Sequence, residues 1–345
     1  MNSRQPMETA LSDGAPSEEH PLLEAIRTSA CTSIYYVAGN IGVGKSTLLE
    51  YLRQNGIAIS PEHVSGISLS EFITPGSTGT LEAPMKFASP FFQAEMMLMS
   101  FIRSVIPANV PLNEYFRRNE VVFSERGWIE NIVFAKANLE MGGGMTEDFY
   151  GDYVKKVKIF MFEHRELIKK PTVVLFLWAY QKICIRRIQK RGRAGEENYD
   201  SSYMEMLNHC YLMMILLSNV KRGIPFIPKF EVVNWADSHS ENSSGLVSRI
   251  TSFGSSQIRI GTERPSLACS TDGMVDVTFD LDEYLAAFRE NPDSVVQRRD
   301  NLFALLSDLR QFVFVRASAA SQHFLYTFFD AKGSNPESFS HYKEA

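Results

Sequence analysis

The sequence has few of the features that fix a small secreted domain, a membrane protein or a metal centre. Its 345 residues include only four cysteines. These lie far apart and form no CxxC pair, so we predict neither a disulfide framework nor a zinc site. Apolar runs such as Tyr211 to Leu217 fall far short of the roughly 20 residues that cross a bilayer. We therefore expect no membrane-spanning segment.

Acidic residues outnumber basic ones, 40 to 35. The net charge is −5 at pH 7, so there is no overall basic field to hold nucleic acid or an anionic membrane surface. The first thirty residues carry five acidic side chains against two arginines, whereas secretory and mitochondrial leaders are basic. We expect a disordered acidic arm over residues 1–33 and a cytoplasmic protein, with the nucleus and the mitochondrion left open.

The sequence does contain one complete motif, a phosphate-binding loop of the form GxxxxGK[ST]. It follows the apolar run Ile34–Ala38 and precedes a helical pattern, which gives strand, loop and helix. In such loops the glycines let backbone N–H groups turn toward phosphates, the lysine reaches the β and γ oxygens, and the hydroxyl ligates Mg²⁺. The predicted residues for ATP and Mg²⁺ are Gly39, Asn40, Ile41, Gly42, Val43, Gly44, Lys45, Ser46 and Thr47.

Further strand-like runs at 57–59, 121–123 and 172–177 alternate with long helical patterns. Strands that alternate with helices form right-handed crossovers and a mostly parallel sheet covered on both faces. We therefore predict an α/β fold with a phosphate loop after its first strand. It should have about five strands flanked by helices, a lid and a C-terminal extension.

The composition of the chain changes after Trp235. The predicted divisions are a P-loop domain at 34–235, a Ser- and Gly-rich insertion or linker at 236–274, and a strand-and-helix extension at 275–345. Either Glu231–Trp235 or Val275–Leu281 can be the last parallel strand. Apolar periodicity predicts a helix over Val296–Phe312.

A phosphate loop alone does not choose among GTPases, motor ATPases and small-molecule kinases. The guanine-reading NKxD motif of GTPases is absent. Motor ATPases place an acidic residue after four apolar ones, whereas here Ser124 precedes the pair Glu125-Arg126 at the end of a strand. A carboxylate at that place suits Mg²⁺ and a guanidinium suits a transferring phosphoryl group. Glu125 is therefore a candidate metal ligand and Arg126 a candidate catalytic residue.

A basic helix supplies a second set of cations. Arg187 and Arg191 stand on one helical face, and Arg193 follows after a glycine. Three guanidiniums at this spacing can close over a triphosphate as a lid, although a basic helix is more often a solvated face. Their combination with a phosphate loop favours the lid.

Together these motifs resemble the deoxyribonucleoside kinase family over about residues 34–235. The matching segments are the phosphate loop, Ser60-Pro61-Glu62-His63-Val64 for the family's Glu-Pro-Val, Pro90-Phe91-Phe92-Gln93 for its Phe-Gln, Glu125-Arg126-Gly127 for its Glu-Arg-Ser, and the three lid arginines. The resemblance implies a P-loop kinase fold with a lid. It also implies that Lys45 and Arg126 are catalytic, that ATP and Mg²⁺ are used, and that the chain forms a homodimer.

The same resemblance assigns roles on the nucleoside side. It implies that Glu62 is the catalytic base and that Gln93 reads the edge of the nucleobase. Asn131 falls at a base-contacting position, where deoxycytidine and deoxyguanosine kinases carry an aspartate. Either Glu196 or Glu197 corresponds to the acid that bonds the sugar 3′-hydroxyl.

The predicted function is ATP-dependent phosphorylation of a deoxyribonucleoside at its 5′-hydroxyl. The incomplete purine and cytosine pattern around Asn131 leads us to favour a pyrimidine, thymidine or deoxycytidine. One alternative is a thymidylate-type monophosphate kinase, which needs no carboxylate base such as Glu62. Another is a non-catalytic relative that serves as an accessory subunit of respiratory complex I, and such a subunit would need neither an intact loop nor a lid.

Overall fold

The computed structural model describes residues 33–60, 121–142, 145–163, 173–192, 201–220, 227–236, 257–263, 275–307 and 311–329. Within these residues the chain forms two parallel sheets with helices packed against them. The larger sheet comes first along the chain. The C-terminal third contains the smaller one.

The larger sheet has five parallel strands in the order β2–β3–β1–β4–β5. The strands are β1 (Ser33–Gly39), β2 (Ala58–Ser60), β3 (Val121–Glu125), β4 (Val173–Trp178) and β5 (Phe230–Asn234). Strands buried on both faces have continuous apolar sequences, which is why β1 and β4 stand out in the chain. The predicted α/β fold is confirmed, and β5 rather than Val275–Leu281 is the last strand of this sheet.

Five described helices accompany this sheet. They are α1 (Lys45–Gln54), α2 (Trp128–Glu140), α3 (Glu147–Glu163), α4 (Gln181–Arg191) and α5 (Ser201–Ser218). The strand register pairs Val37 of β1 with Glu125 of β3, and Gly39 of β1 with Leu177 of β4. The carboxyl ends of β1, β3 and β4 therefore meet at one edge of the sheet, where open α/β sheets bind their ligands.

Helix α5 is buried on every side. Its residues from Tyr203 to Leu217 are buried, apart from the half-buried Glu205 and Met206, as expected for a helix without a polar face. The ring of Tyr211 lies 4.7 Å from that of Phe176 on β4. Helix α2 and the C-terminal helices pack along its other sides. No described helix combines the length and hydropathy needed to cross a membrane.

The smaller sheet has three parallel strands in the order β6–β8–β7. They are β6 (Gln257–Gly261), β7 (Val275–Asp280) and β8 (Gln311–Arg316). Because β6 lies inside 236–274, the segment predicted as an insertion or linker contains an ordered strand. The helix predicted over Val296–Phe312 is wrong at its carboxyl end. That helix stops at Ser307, and the aromatic and β-branched run from Phe312 to Val315 forms β8 instead.

The helices of the extension share one apolar core with the larger sheet. They are α6 (Leu281–Glu290), α7 (Val296–Ser307), which follows a 3₁₀ turn at Pro292–Val295, and α8 (Ala319–Phe328). Helix α7 packs on β5, and the ring of Phe303 lies 5.1 Å from Phe176 and 6.2 Å from Trp178 of β4. The buried apolar contacts continue from one sheet into the extension. The extension is therefore built into the body of the P-loop domain.

Candidate active site

The phosphate loop depends on glycine at three positions. Gly39, Gly42 and Gly44 have φ angles of 140°, 74° and 110°, in the region that side chains rarely adopt. A Cβ atom on Gly39 would lie 2.5 Å from the carbonyl oxygen of Leu177, and one on Gly42 would lie 2.6 Å from that of Cys184. A side chain at Gly39 or Gly42 would therefore collide with the backbone of β4 or α4.

The lysine of the motif lies against its own loop. Lys45 is the first residue of α1 and is 6% exposed. Its Nζ donates to the carbonyl oxygens of Gly39 at 2.8 Å and Asn40 at 3.2 Å. These bonds hold the ammonium at the loop, where it can meet the β and γ oxygens of a nucleotide.

The two predicted metal ligands lie together. Glu125 ends β3, beside β1, and its buried carboxylate accepts a hydrogen bond of 2.9 Å from the Ser46 hydroxyl. Mg²⁺ takes oxygen ligands, and in nucleotide sites it completes its shell with phosphates and water. The pair Ser46 and Glu125 fits that ion, since both donor atoms are oxygens and they are already within contact of each other.

Arg126 follows Glu125 in a strained conformation. Its φ angle of 61° makes it the one described residue other than glycine with a positive φ, at a cost of about 1–3 kcal/mol. Its backbone N–H donates to Val37 of β1 at 3.2 Å, and its guanidinium lies 4.5 Å from the ring centroid of Phe134. Backbone and cation–π contacts thus fix this candidate catalytic arginine beside the loop.

The glycine after Arg126 departs from the family pattern, and the neighbouring Tyr36 gives the structural reason. Gly127 stands where the family has serine, and a Cβ there would lie 2.2 Å from the ring of Tyr36. Tyr36 belongs to β1 and is 1% exposed. The buried tyrosine therefore occupies the space that a serine side chain would need.

Asn131 lies on α2, the helix that starts at this edge of the sheet. It is half-buried, and it precedes Phe134 by three residues, so both side chains share one face of the helix. This places Asn131 on the same side of α2 as the ring that contacts Arg126. Its contact with a nucleobase stays a prediction.

The basic helix α4 lies beside the loop, but its arginines differ. Arg187 is half-buried and donates to the carbonyl oxygens of Val43 and, at 3.0 Å, Trp235. Burial lowers the pKa of its guanidinium below the ordinary value. Arg191 is exposed at the end of the helix, before Gly192. Arg187 thus braces the phosphate loop directly, and closure of these arginines over a triphosphate stays a prediction.

Part of the predicted site lies outside the described residues. This applies to the base, the base-reading amide, the third lid arginine and both candidates for the sugar-binding acid, namely Glu62, Gln93, Arg193, Glu196 and Glu197. Their roles stay predictions. The described residues are those of the predicted phosphate and metal half of the site.

The sequence-based predictions do not include two sets of contacts between the phosphate loop and α5. The Asn40 amide donates to the Met204 carbonyl oxygen at 2.8 Å and to Asn208 Oδ1 at 2.9 Å, while its own oxygen accepts from the N–H of Ile41 at 2.7 Å. One turn along α5, the Tyr211 hydroxyl contacts the loop as well. An asparagine and a tyrosine inside the apolar sequence of α5 are the signal that could have indicated these contacts.

The Tyr211 contact includes a buried carboxylate. The hydroxyl of Tyr211 donates to Glu130 Oε1 at 2.6 Å and lies 3.4 Å from the carbonyl oxygen of Gly39. The same Glu130 oxygen accepts from the N–H of Gly39 at 3.4 Å. Burial raises the pKa of Tyr211 well above 10, and the Glu130 charge adds to this effect. The tyrosine therefore stays protonated and acts as a donor.

Comparison with known proteins gives a consistent set of similarities. A family model described as deoxynucleoside kinase matches residues 35–253. "Deoxycytidine kinase 2" of Gallus gallus is 27% identical over 189 residues, which are 50% of this chain and 70% of that protein. A structure of deoxyadenosine kinase from M. mycoides with dCMP and dCDP has a TM-score of 0.46 at 20% identity, and covers 64% of this chain and 98% of the other. The same enzyme with dATP gives 0.44 at 20% identity, covering 64% and 100%.

Proposed function

Because this chain belongs to the deoxynucleoside kinase family, we propose that it transfers the γ-phosphoryl group of ATP to the 5′-hydroxyl of a pyrimidine deoxynucleoside. Family membership makes it a phosphotransferase that acts on nucleosides. The observation that carries the proposal is the contact of Ser46 with Glu125 beside a complete phosphate loop. A chain that served only as a scaffold would not need this arrangement.

The transfer itself balances without a covalent intermediate. The 5′-oxygen bonds to the γ-phosphorus while the bond to the bridging oxygen breaks, and ADP leaves with that electron pair. The hydroxyl proton passes to the carboxylate of Glu62, because a sugar hydroxyl is a poor nucleophile at neutral pH. The products are ADP and the nucleoside 5′-monophosphate.

The described residues act mainly through charge and position. Lys45 and Arg126 neutralise the oxygens of the transferred group, and the loop N–H groups hold the other phosphates. Ser46 and Glu125 would hold Mg²⁺, which lowers the charge repulsion at the phosphates when it is bound. The N–H bond to Val37 and the cation–π contact with Phe134 keep Arg126 in place before the substrates arrive.

The preference for a pyrimidine rests on the nucleoside side of the site. Gln93 can donate and accept at once, which suits the hydrogen-bonding edge of a pyrimidine. Asn131 keeps an amide where the cytosine and guanine enzymes have an aspartate. The Gallus gallus relative is named for deoxycytidine, which supports deoxycytidine beside thymidine as the acceptor. The homodimer stays a prediction that a mass measurement in solution would test.

The test is turnover of Mg·ATP by the purified protein with the four deoxynucleosides and the four matching monophosphates, scored by product. We expect phosphorylation of a pyrimidine nucleoside and loss of that activity in Glu62→Gln. Glu50→Gln is the matched control, since Glu50 lies on α1 and pairs with Arg53 at the surface. Activity on monophosphates alone, or full activity in Glu62→Gln, would contradict the proposal. Folded protein that binds ATP without any turnover would favour the non-catalytic alternative.

A further inference from the structure

One face of α5 holds the phosphate loop. Met204, Asn208 and Tyr211 are spaced by four and three residues, so they lie on one side of the helix. The first two bond the Asn40 side chain at 2.8 and 2.9 Å, and the third contacts Gly39. Gly39 and Asn40, at the start of the loop, are therefore hydrogen-bonded to successive turns of α5 on this face.

A neighbouring face of the same helix is bonded to the C-terminal extension. Arg299 of α7 forms an ion pair with the carboxylate of Glu205, and its Nη1 donates to the backbone carbonyl of Glu205 at 3.2 Å. His209 Nδ1 lies 3.0 Å from the hydroxyl of Tyr284 on α6. The imidazole also stacks on Phe288, with centroids 3.7 Å apart. Charge, hydrogen bonding and stacking thus fix α5 against the extension.

The two sets of contacts meet at consecutive backbone groups. Met204 presents its carbonyl oxygen to Asn40 of the loop, and Glu205 presents the next one to Arg299. Arg299 is 1% exposed and also bonds the Asp300 carboxylate at 3.0 Å. Asp300 lies on α7 itself, so the ion pair with Glu205 is the charged contact that joins α7 to α5, and separating the two helices would leave the Glu205 carboxylate without its cation.

We infer that the C-terminal extension is a positioning element of the nucleotide site. Through Arg299 and Tyr284 it sets the place of α5, and α5 in turn holds Gly39 and Asn40 in the conformation that receives phosphates. The inference rests on the proposed function, because ATP is the ligand whose binding it affects. The matched family range ends at residue 253, so these anchors belong to a part of the chain outside that match.

Two adjacent arginines provide the test. Arg299→Met removes the anchor, whereas Arg298→Met removes a surface ion pair of 2.8 Å with Glu283. We expect Arg299→Met to raise the Kd for a fluorescent ATP analogue and the KM for ATP about fivefold. The KM for the nucleoside should change less than twofold, and Arg298→Met should match wild type throughout. A merely structural role would lower the melting temperature of Arg299→Met and leave the ATP constants of the folded protein unchanged, which would overturn the inference.

Two milder variants keep the test decisive should Arg299→Met not fold. Tyr284→Phe deletes one hydroxyl that bonds His209, and Asn208→Ala deletes the loop contact itself. Both should weaken ATP binding selectively, Asn208→Ala more than Tyr284→Phe. If Tyr284→Phe binds ATP as wild type does while Asn208→Ala binds it poorly, the loop contact matters but the role of the extension is refuted.

If wild type binds ATP but phosphorylates no nucleoside, the proposed function fails, while the ratios of these ATP dissociation constants still decide the inference. Absence of ATP binding by wild type would refute both.

Discussion

At the carboxyl edge of the larger sheet, β1 is followed by the glycine loop, and the carbonyl oxygens of Gly39 and Asn40 accept hydrogen bonds from Lys45. At the carboxyl edge of the smaller sheet, β7 and β8 end in Asp280 and Arg316, which pair with each other. Beside them, the Asp282 carboxylate accepts from the N–H of Ser318 at 2.9 Å and its hydroxyl at 2.6 Å. Both edges are rich in charge, yet their polar groups are used differently.

The difference shows why parallel topology alone does not make a site. The smaller edge uses polar side chains to cap helices: the Asp280 carboxylate accepts from the N–H of Glu283 at the start of α6, and the Ser318 hydroxyl accepts from the N–H of Ser321 at the start of α8. At the larger edge, the carbonyl oxygens of Gly39 and Asn40 surround the Lys45 ammonium. The Ser46 hydroxyl there donates to the Glu125 carboxylate. One edge stabilises the fold, and the other is the edge where we propose that phosphates and Mg²⁺ bind.

The largest effect should come from filling the glycine loop. Gly39→Ala places a methyl group 2.5 Å from the Leu177 carbonyl oxygen at a φ angle of 140°, so the loop must shift. We expect ATP binding to fall by about 1,000-fold. Gly56→Ala is the control, because Gly56 also has a positive φ but has open space around it. Titration with ATP checks both, and equal binding by the two variants would mean that the loop conformation does not matter.

A smaller loss is expected at the metal pair. Glu125→Gln should reduce kcat/KM about 100-fold and raise the Mg²⁺ concentration needed for half-maximal rate, because one anionic oxygen is lost. Asp280→Asn removes a carboxylate from the smaller edge and should leave the Mg²⁺ dependence as in wild type. Rates over a series of MgCl₂ concentrations at fixed ATP test this. An unchanged Mg²⁺ dependence in Glu125→Gln would argue against a metal role for this residue.

The smaller edge should respond in stability rather than activity. Asp282→Asn removes the charge that accepts from Ser318, and the Ser321 hydroxyl also bonds this carboxylate. We expect the free energy of unfolding to fall by about 1–3 kcal/mol, with the ATP constants of the folded enzyme unchanged. Urea denaturation and steady-state kinetics measure the two effects. Loss of activity without loss of stability would reveal an unexpected function at this edge.

The smallest effect concerns pH and His209. Burial lowers the pKa of His209 to about 3, and the charges of Arg299 and Lys136 add to this. The folded chain therefore binds fewer protons than the unfolded chain below the unfolded pKa of about 6.5. Stability should be complete above pH 6.5 and fall by about 1.4 kcal/mol for each unit below it. Urea midpoints at pH 7.5, 6.5 and 5.5 measure the slope, which His209→Gln should reduce.

The aspartates of the smaller edge titrate in another pH range. Burial opposes ionisation of Asp282, but hydrogen bonds from Ser318 and Ser321 more than offset it, so its pKa lies below the ordinary 3.8. Its contribution to stability is present above that value and is lost only at lower pH. The interval from pH 6.5 to 5.5 therefore lies above the titration of Asp282, and the difference in slope between wild type and His209→Gln reports on His209. An identical slope in wild type and His209→Gln would assign the effect to other groups.

Local sequence was enough for much of the larger edge. The phosphate loop and the Glu125-Arg126 pair each lie within a few residues, so their chemistry is visible in the sequence. The bonds from Asn40 to Met204 and Asn208 span more than 160 positions along the chain, and no local pattern encodes them. The strain at Arg126 likewise depends on how β3 meets α2.

The C-terminal third was harder for a physical reason. Both Glu231–Trp235 and Val275–Leu281 have the composition of a buried strand, and only pairing with a neighbour decides between them. The helix predicted over Val296–Phe312 includes the first two residues of β8, because apolar residues continue the spacing of α7 to Phe312 without a glycine or proline. Short apolar runs do not by themselves distinguish a strand from a buried helix.

The most direct test compares the two edges through one reaction, ATP-dependent formation of a deoxynucleoside 5′-monophosphate. Wild type, Lys45→Met and Arg316→Met would be assayed side by side at a temperature where all three are folded. Our account predicts full activity in wild type and Arg316→Met, and a loss of about 100- to 1,000-fold in Lys45→Met. Undiminished activity in Lys45→Met, or a comparable loss in Arg316→Met, would contradict it.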